Sequence, residues 1–240
     1  MVPEILAYEP EKLAENIARS LDYWVREQGR FSLGLPGGRS PGELLGLIGR
    51  KLHPETREDL GLFWVDERWV PKGHTDRNDG QIIEAWRAGG QLPSNVFPMP
   101  GSDEYVNPED GAHEYTKALE KWKPGPLDLA ILGLGEDGHV ASLFPHHPGL
   151  METAPVFVCN NSPKSPETRL SLSLPYLRQS RAIVVLVLGA QKGRALAEAL
   201  EFPGAQRPVS LLFTLPSPSV KCYLDSAALE QLPGDFRPKS

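Results

Sequence analysis

Short apolar runs recur along this chain, and segments with helical periodicity stand between them. Leu13, Ile17 and Leu21 are spaced as on one face of a helix that ends at Gly29. Alternation of buried strands with helices predicts an α/β protein whose mostly parallel sheet is covered by helices on both faces. The leucine alternation of 169–175 predicts a strand with one covered face. The predicted strands are FSLGL (31–35), LGLFWV (60–65), LDLAIL (127–132), PVFVC (155–159), RLSLSLP (169–175), AIVVLVLG (182–189) and VSLLFTL (209–215).

Residues 1–240 are expected to form a single domain, because the chain shows no internal repeat and no convincing linker. Sheets of this kind bind ligands beyond the carboxyl ends of their strands. The glycine-rich and charged stretches of this sequence fall where predicted strands end. Those stretches are therefore the candidates for a site.

The charge balance narrows the range of partners. The net charge is -6 and the pI is near 5.6, which argues against nonspecific binding to nucleic acid or to an anionic membrane. Without a signal-like N-terminus or 18 consecutive apolar residues, a soluble cytoplasmic protein is expected, with monomer as the default. Cys159 and Cys222 are far apart and fit neither a zinc site nor a disulfide framework, so buried thiols are expected.

A glycine turn, LPGGRSP (35–41), stands between a predicted strand and a predicted helix. Gly37 and Gly38 would let backbone N–H groups approach a phosphate at the helix N-terminus. The turn lacks the lysine of a P-loop and the spacing of a dinucleotide-binding motif. A simple turn before a helix therefore remains the alternative.

Two charged stretches offer cations for an anionic ligand. In WVDERWVP (64–71), Asp66 and Glu67 should point to opposite sides of a strand, and Arg68 could grip phosphate or carboxylate. The alternative is a surface ion cluster. In SPKSPETRLSL (162–172), Lys164 and Arg169 gain significance only if they converge with Arg68, since loop charges are commonly solvated.

The stretch GLGEDGHVASLFP (133–145) follows the predicted strand 127–132 and combines glycines, carboxylates and an imidazole. His139 can exchange a proton near neutral pH, and Asp137 could orient it. A metal would need a third ligand at workable spacing, which His146 and His147 do not offer convincingly. The alternative is a capping aspartate and a histidine within a helix.

Together, LPGGRSP, FWVDERWVP with HTDRN, LGLGEDGHVASLFP, SPKSPETRLSLSLP and VVLVLGAQKG resemble the 6-phosphogluconolactonases over roughly residues 10–225. The resemblance implies a Rossmann-like α/β fold of the sugar-phosphate isomerase and deaminase superfamily. It implies hydrolysis of 6-phospho-D-glucono-1,5-lactone in the oxidative pentose phosphate pathway, with neither a metal nor an organic cofactor.

The resemblance also implies residue roles. The general base falls on His139, its neighbouring carboxylate on Asp137, and the phosphate-binding cations on Arg68 and Lys164. Arg39 stands where the family usually has serine in this loop, and it could either add a phosphate contact or point away. Arg77 stands in DRN where DSN is usual, and the resemblance implies no role for it. The substrate-binding residues are expected to be Gly37, Gly38, Arg39, Ser40, Asp66, Arg68, Lys164 and Arg169.

Two rival functions remain open. An amino-sugar phosphate deaminase or isomerase would use Asp66 to move a proton between C2 and C1. Against it stand DER in place of DEY, and ASLFP in place of a continuation such as AFNEP. The second rival is a sugar-phosphate sensor that binds without turnover. Such a sensor would be expected to carry a DNA-binding module, and no N-terminal segment that could form one is expected here. The presence of both Asp137 and His139 also favours catalysis.

Overall fold

The computed structural model describes residues 3–213 and 219–237, apart from the side chains of Arg39 and Ser40. Ten strands are described: β1 (Glu4–Ala7), β2 (Phe31–Leu35), β3 (Leu60–Trp64), β4 (Asp66–Arg68), β5 (Asn95–Phe97), β6 (Leu129–Gly133), β7 (Val156–Cys159), β8 (Arg169–Leu172), β9 (Ala182–Val187) and β10 (Ser219–Leu224). The described α-helices are α1 (Pro10–Gln28), α2 (Arg39–Lys51), α3 (Thr56–Asp59), α4 (Asn78–Gly89), α5 (Pro108–Trp122), α6 (Leu174–Arg178), α7 (Ala190–Glu201) and α8 (Ser226–Leu229). The 3₁₀ turns are Pro148–Met151, Pro208–Leu212 and Gly234–Phe236.

Seven parallel strands form the main sheet in the order β1-β10-β9-β6-β2-β3-β5. The strands β2 and β3 are buried at every position, which requires cover on both faces of the sheet and explains their nearly continuous apolar sequences, in which the polar Ser32 bonds Asp128. The predicted α/β architecture with a parallel sheet is confirmed. The first helix is also confirmed: it ends at Gly29, whose φ of +74° suits glycine.

The winding of the main sheet reverses between β2 and β6. From β2 the chain proceeds to β3 and β5 on one side, and from β6 it proceeds to β9 and β10 on the other. In doubly wound sheets the connections leave such a neighbouring pair in opposite directions, which opens a crevice at their carboxyl ends. The topology therefore places the ligand crevice beside the loops that follow β2 and β6.

A second sheet of three antiparallel strands, β4-β8-β7, stands next to this crevice. β4 follows β3 after Val65 alone, so the small sheet begins at the carboxyl end of the main one. The strand predictions at 155–159 and 169–175 are confirmed in part. All four residues of β8 are buried, so the expectation of one covered face is wrong: Ser171 and Arg169 lie against protein as well.

The predicted strand 209–215 is wrong over its described part. Pro208–Leu212 forms a 3₁₀ turn, in which the Ser210 hydroxyl bonds the main chain of Gly204 and Arg207, while residues 214–215 lie outside the described residues. On the side of β9 away from β6, the pairing strand is β10 instead.

The pattern missed the edge strands β1 and β5, which are four and three residues long. Both cysteines are buried free thiols, as expected. No helix within the described ranges combines the length and the apolar character needed to cross a membrane.

Candidate active site

A cleft of about 440 Å³ opens at the carboxyl ends of β2 and β6, at the reversal of the sheet. The loops after these two strands line it together with β4 and the loop before β8. A larger groove, of about 870 Å³, runs between α2 and α4, but small residues such as Gly46 and Ala85 line it and no histidine reaches it. The cleft brings together seven of the predicted site residues: Gly37, Gly38, Asp66, Arg68, His139, Lys164 and Arg169.

The glycine turn forms the wall of the cleft at the start of α2. Gly38 has a φ of +103°, and a Cβ at Gly37 would stand 1.9 Å from Oδ1 of Asn78, so glycine is required at both positions. The side-chain amide of Asn78 in turn donates to the main-chain oxygen of Asp66 at 2.9 Å. The turn is thus held against α4 with its backbone at the N-terminus of α2, a place that favours anions. Arg39 and Ser40 remain predicted contributors.

The imidazole of His139 is held by Asp137. Their Nδ1 and Oδ1 atoms are 2.5 Å apart, and the main-chain N–H of His139 also donates to this oxygen at 3.3 Å. An ionised carboxylate can only accept, so Nδ1 carries the proton and Nε2 keeps a lone pair. A Cβ at Gly135 would lie 2.0 Å from Nδ1, which explains the glycine there. These residues form turns, so the alternative of a histidine within a helix is wrong.

The turn that carries this pair is supported from two directions. Gly138 has a φ of +85°, and its carbonyl accepts from the N–H of Val209 at 3.0 Å. The ring of Phe144 packs against His139 with centroids 4.7 Å apart. The imidazole plane is therefore fixed by an aromatic contact as well as by the hydrogen bond to Asp137.

Local charges set the protonation of the carboxylate. Partial burial raises the pKa of Asp137, but the hydrogen bond and charge of His139, together with Lys164, more than offset this and hold that pKa well below its usual range. Asp137 is therefore ionised throughout the neutral range. It therefore serves as a fixed acceptor for Nδ1–H of His139.

Among the side chains that the structure describes, four cations reach the cleft: Arg68, Lys164, Arg169 and Lys192. Arg68 donates through Nη1 to the carbonyl of Asp76, whereas its buried Nε has no hydrogen-bond partner among the described residues. Lys164 is exposed, and within the described ranges its ammonium forms no ion pair. The cleft is thus locally positive in a chain whose net charge is -6.

Lys192 and Asn78 line the cleft but were not singled out from the sequence. Lys192 lies in the first turn of α7, after Gly189, whose N–H is bonded by the carboxylate of Asp225. Burial lowers the pKa of Lys192, and Lys164 lowers it further, while Glu136 raises it. The sequence contains a pattern that could have indicated Lys192: a strand, a glycine and a helix follow one another here, as they do around Gly37.

Asp66 and Glu67 point to opposite sides of β4, as strand geometry predicts. Asp66 lines the cleft, where its Oδ2 accepts from the hydroxyl of Ser142 at 2.7 Å and lies 3.9 Å from Nη1 of Arg169. Glu67 is buried and accepts from the N–H groups of Asn78 and Asp79. The alternative of a surface ion cluster is therefore wrong for Glu67.

Arg77, which the sequence left without a role, is fully buried beside Glu67. It donates to both carboxylate oxygens of Asp79 and to the carbonyl of Met99. No group of three or more His, Cys, Asp or Glu side chains within residues 3–213 and 219–237 is arranged to hold a metal ion.

The fold and the cleft define a doubly wound α/β protein that presents a supported histidine and several cations at its switch point. A family model described as glucosamine-6-phosphate isomerases/6-phosphogluconolactonase matches residues 9–219. The chain therefore belongs to this family.

Particular relatives resemble it closely. The chain is 33% identical over 215 residues to the 6-phosphogluconolactonase of Synechocystis sp., covering 87% of each protein. A crystal structure of a 6-phosphogluconolactonase from Shewanella baltica superposes with a TM-score of 0.83 at 25% identity, over 93% of this chain and 98% of that one. A monomeric glucosamine-6-phosphate deaminase superposes with a TM-score of 0.77 at 18% identity, over 95% and 99%, and shares the fold. The resemblance predicted from the motifs is confirmed.

Proposed function

We propose that this chain hydrolyses 6-phospho-D-glucono-1,5-lactone to 6-phosphogluconate, the lactonase step of the oxidative pentose phosphate pathway, with His139 as general base. One observation carries the proposal: an imidazole held by a carboxylate shares a single cleft with four cations. The name of the Synechocystis relative, a 6-phosphogluconolactonase, supports the same activity.

The cations suit the phosphate end of this substrate. Arg68, Lys164 and Lys192 lie around the cleft, and the backbone of the glycine turn adds N–H groups. Arg68 is only partly buried and lines the cleft, so its guanidinium can meet a phosphate oxygen there. Because the phosphate is remote from the bond that breaks, these contacts would serve to position the lactone.

The histidine suits the lactone end. A δ-lactone is an internal ester, so its hydrolysis requires an activated water at C1. Nε2 of His139 takes a proton from this water as it attacks. The tetrahedral intermediate then collapses with cleavage of the bond between C1 and the ring oxygen, and the imidazolium returns the proton to that oxygen. Asp137 fixes the Nδ1–H tautomer throughout, and general base catalysis of this kind contributes about 10²–10⁴-fold.

The deaminase alternative is disfavoured by the surroundings of Asp66. That reaction needs a carboxylate free to move a proton between C2 and C1. Here Asp66 is buried, and its Oδ2 is occupied by the hydroxyl of Ser142, which belongs to the ASLFP segment. This hydrogen bond fits a fixed carboxylate that accepts from a sugar hydroxyl better than it fits a proton shuttle.

The test is a coupled assay in which glucose-6-phosphate dehydrogenase supplies fresh lactone and acid release is followed with spontaneous opening subtracted. The wild type should accelerate the opening, and His139→Asn should reduce kcat by about 10²–10⁴-fold with little change in KM. His146→Asn is the matched control, because His146 is exposed and its positive φ of 56° is readily adopted by asparagine.

Near-normal turnover by His139→Asn would disprove the assignment of the base. Ammonia release from glucosamine 6-phosphate, without acceleration of lactone opening, would favour the deaminase. Binding of 6-phosphogluconate with neither reaction would favour the sensor.

A further inference from the structure

The guanidinium of Arg169 is turned into a loop of its own chain. The side chain is buried, and Nε donates to the carbonyl of Pro166 at 3.2 Å. Nη2 donates to the carbonyls of Lys164 at 3.0 Å and Ser165 at 3.4 Å. A cation at the start of β8 thus spans three consecutive carbonyls of the loop before it, and these charge-assisted bonds are stronger than neutral ones.

The same loop is closed from its other side by Ser162. The Ser162 hydroxyl donates to the carbonyl of Lys164 at 2.9 Å and accepts from the N–H of Lys164 at 3.2 Å. The main-chain N–H of Ser162 donates to the carbonyl of Glu167 at 2.9 Å. The main chain of Lys164 is therefore held at both its N–H and its carbonyl, while the side chain extends, exposed, along the cleft.

Arg169 also touches the wall that carries the histidine. Its Nη1 lies 3.9 Å from Oδ2 of Asp66, and its Cζ lies 5.4 Å from the ring centroid of Phe144. Phe144 is the residue whose ring packs on His139. The buried side chain of Arg169 therefore connects the loop that carries Lys164 to Asp66 on one side and, through Phe144, to His139 on the other.

From these contacts we infer that Arg169 is a positioning residue, which holds the 162–167 loop so that Lys164 meets the phosphate, and does not itself bind the substrate. The inference rests on the proposed function for the identity of the anion. It replaces direct substrate binding, the role expected of Arg169 from the sequence. A loop already ordered before binding loses less entropy when the ligand arrives, so removal of Arg169 should weaken binding through Lys164 alone.

The test is a double-mutant cycle read by calorimetric titration with 6-phosphogluconate and with gluconate, which lacks the phosphate. Arg169→Gln should raise Kd for 6-phosphogluconate by about tenfold, the effect expected for losing bonds to a charged group. In a Lys164→Ala background the same substitution should change Kd less than about twofold, because coupled sites are not additive. Kd for gluconate should stay unchanged whether Arg169→Gln is made in the wild type or in the Lys164→Ala background. A general loss of structure would instead weaken the binding of gluconate as well.

Two further variants keep the result interpretable if Arg169→Gln folds poorly. Ser162→Ala loosens the loop without removing a buried charge, and it should raise Kd only when Lys164 is present. Ser165→Ala is the control, because within the described residues its exposed hydroxyl makes no hydrogen bond. In steady-state assays Arg169→Lys and Ser162→Ala should raise KM more than they lower kcat.

Additive effects of Arg169→Gln and Lys164→Ala would overturn the inference, since they would mean that both cations contact the phosphate. So would equal binding of 6-phosphogluconate and gluconate by the wild type. The titrations need no turnover: a wild type that binds 6-phosphogluconate but opens no lactone would refute the proposed function, and the cycle would still decide the role of Arg169.

Discussion

Asp137 determines which nitrogen of His139 faces the cleft without a proton, and under the proposed mechanism that nitrogen is the base. Its carboxylate accepts the Nδ1 proton at 2.5 Å, and its pKa is held well below the usual range by that contact and by Lys164, against the effect of burial. A base that had lost this partner could adopt the other tautomer and present a proton, not a lone pair, to the cleft. Orientation and tautomer therefore both depend on one carboxylate.

Replacement of this carboxylate gives a prediction with two readouts. Asp137→Asn should reduce kcat, measured in the coupled lactone assay, by at least about tenfold, because the Nδ1–H tautomer is no longer enforced. A carboxyl with a depressed pKa contributes stability above its unfolded pKa of about 3.9, and this contribution is lost as the pH falls. In urea titrations the variant should be less stable than the wild type at pH 6, and the difference should shrink below about pH 4.

Glu136→Gln is the matched control for Asp137→Asn. It removes an exposed neighbouring carboxylate that lines the same cleft. Its kcat should stay within about threefold of the wild type, since general acid–base effects are expected only from groups in contact with the base. Equal losses in the two variants would mean that the net charge of the cleft, and not the contact with His139, is what matters.

The DGH stretch was informative because its chemistry is local. Asp137 and His139 are two positions apart in one turn, so the sequence alone brings them together. Lys192 and Asn78 reach the cleft only through the sheet order and the packing of α4 on the glycine turn, neither of which a local pattern contains. The position of Arg77 could not be predicted for another reason. Charged side chains are rarely fully buried unless they are paired, and its partners lie together only in the folded chain.

The junction between β4 and α4 depends on three charged residues. Glu67 accepts from the first two N–H groups of α4, which otherwise lack partners at a helix start. The pKa of Glu67 is raised to about 7, because burial raises it by more than Arg77 and the N–H of Asn78 lower it, and Asp79 raises it as well. Arg77 therefore favours the ionised form of this buried carboxyl group, which caps the helix whose first residue lines the cleft.

Arg77→Met should leave Glu67 and Asp79 uncompensated and lower the free energy of unfolding by about 3–5 kcal/mol. With Arg77 gone the pKa of Glu67 rises further above its unfolded value of about 4.3. A carboxyl with a raised pKa binds more protons when folded, so stability falls as the pH rises. Denaturant titrations should therefore show a larger loss at pH 8 than at pH 5. Arg87→Met, on the exposed side of α4, should change stability by less than about 0.5 kcal/mol at either pH.

The predictability of the elements follows their burial. The central strands β2, β3, β6 and β9 could be predicted because strands that are covered on both faces consist almost entirely of apolar residues. The edge strands β1 and β5 are short and only partly buried, so they lack this pattern. The described part of the run 209–215 is apolar because Val209, Leu212 and Phe213 are buried, but it forms a 3₁₀ turn and its end, next to the turn that carries His139. Apolar composition reports burial, and it does not by itself report backbone conformation.

The two sheets meet at the cleft. The main sheet supplies the glycine turn and the histidine turn, and the small sheet supplies β4 and the loop before β8. Cations from both units converge there in a chain with a net charge of -6. An anion in the cleft would reduce the repulsion between these cations and would contact both the main sheet and the small sheet. Binding should therefore stabilise the whole fold and not only one of the loops that contact the anion.

We therefore expect 6-phosphogluconate to raise the thermal stability of the protein. A ligand that binds only the folded state, at 100 times its Kd, adds about 2.7 kcal/mol, which for a chain of this length raises Tm by about 5–10 °C. Gluconate at equal concentration should raise Tm far less, because it lacks the group that the cations hold. Hydrogen exchange should slow in residues 36–38, 133–139 and 162–167 together, since the ligand touches both sheets. Protection confined to one of these loops, or equal Tm shifts with gluconate and 6-phosphogluconate, would contradict a shared site formed by both sheets.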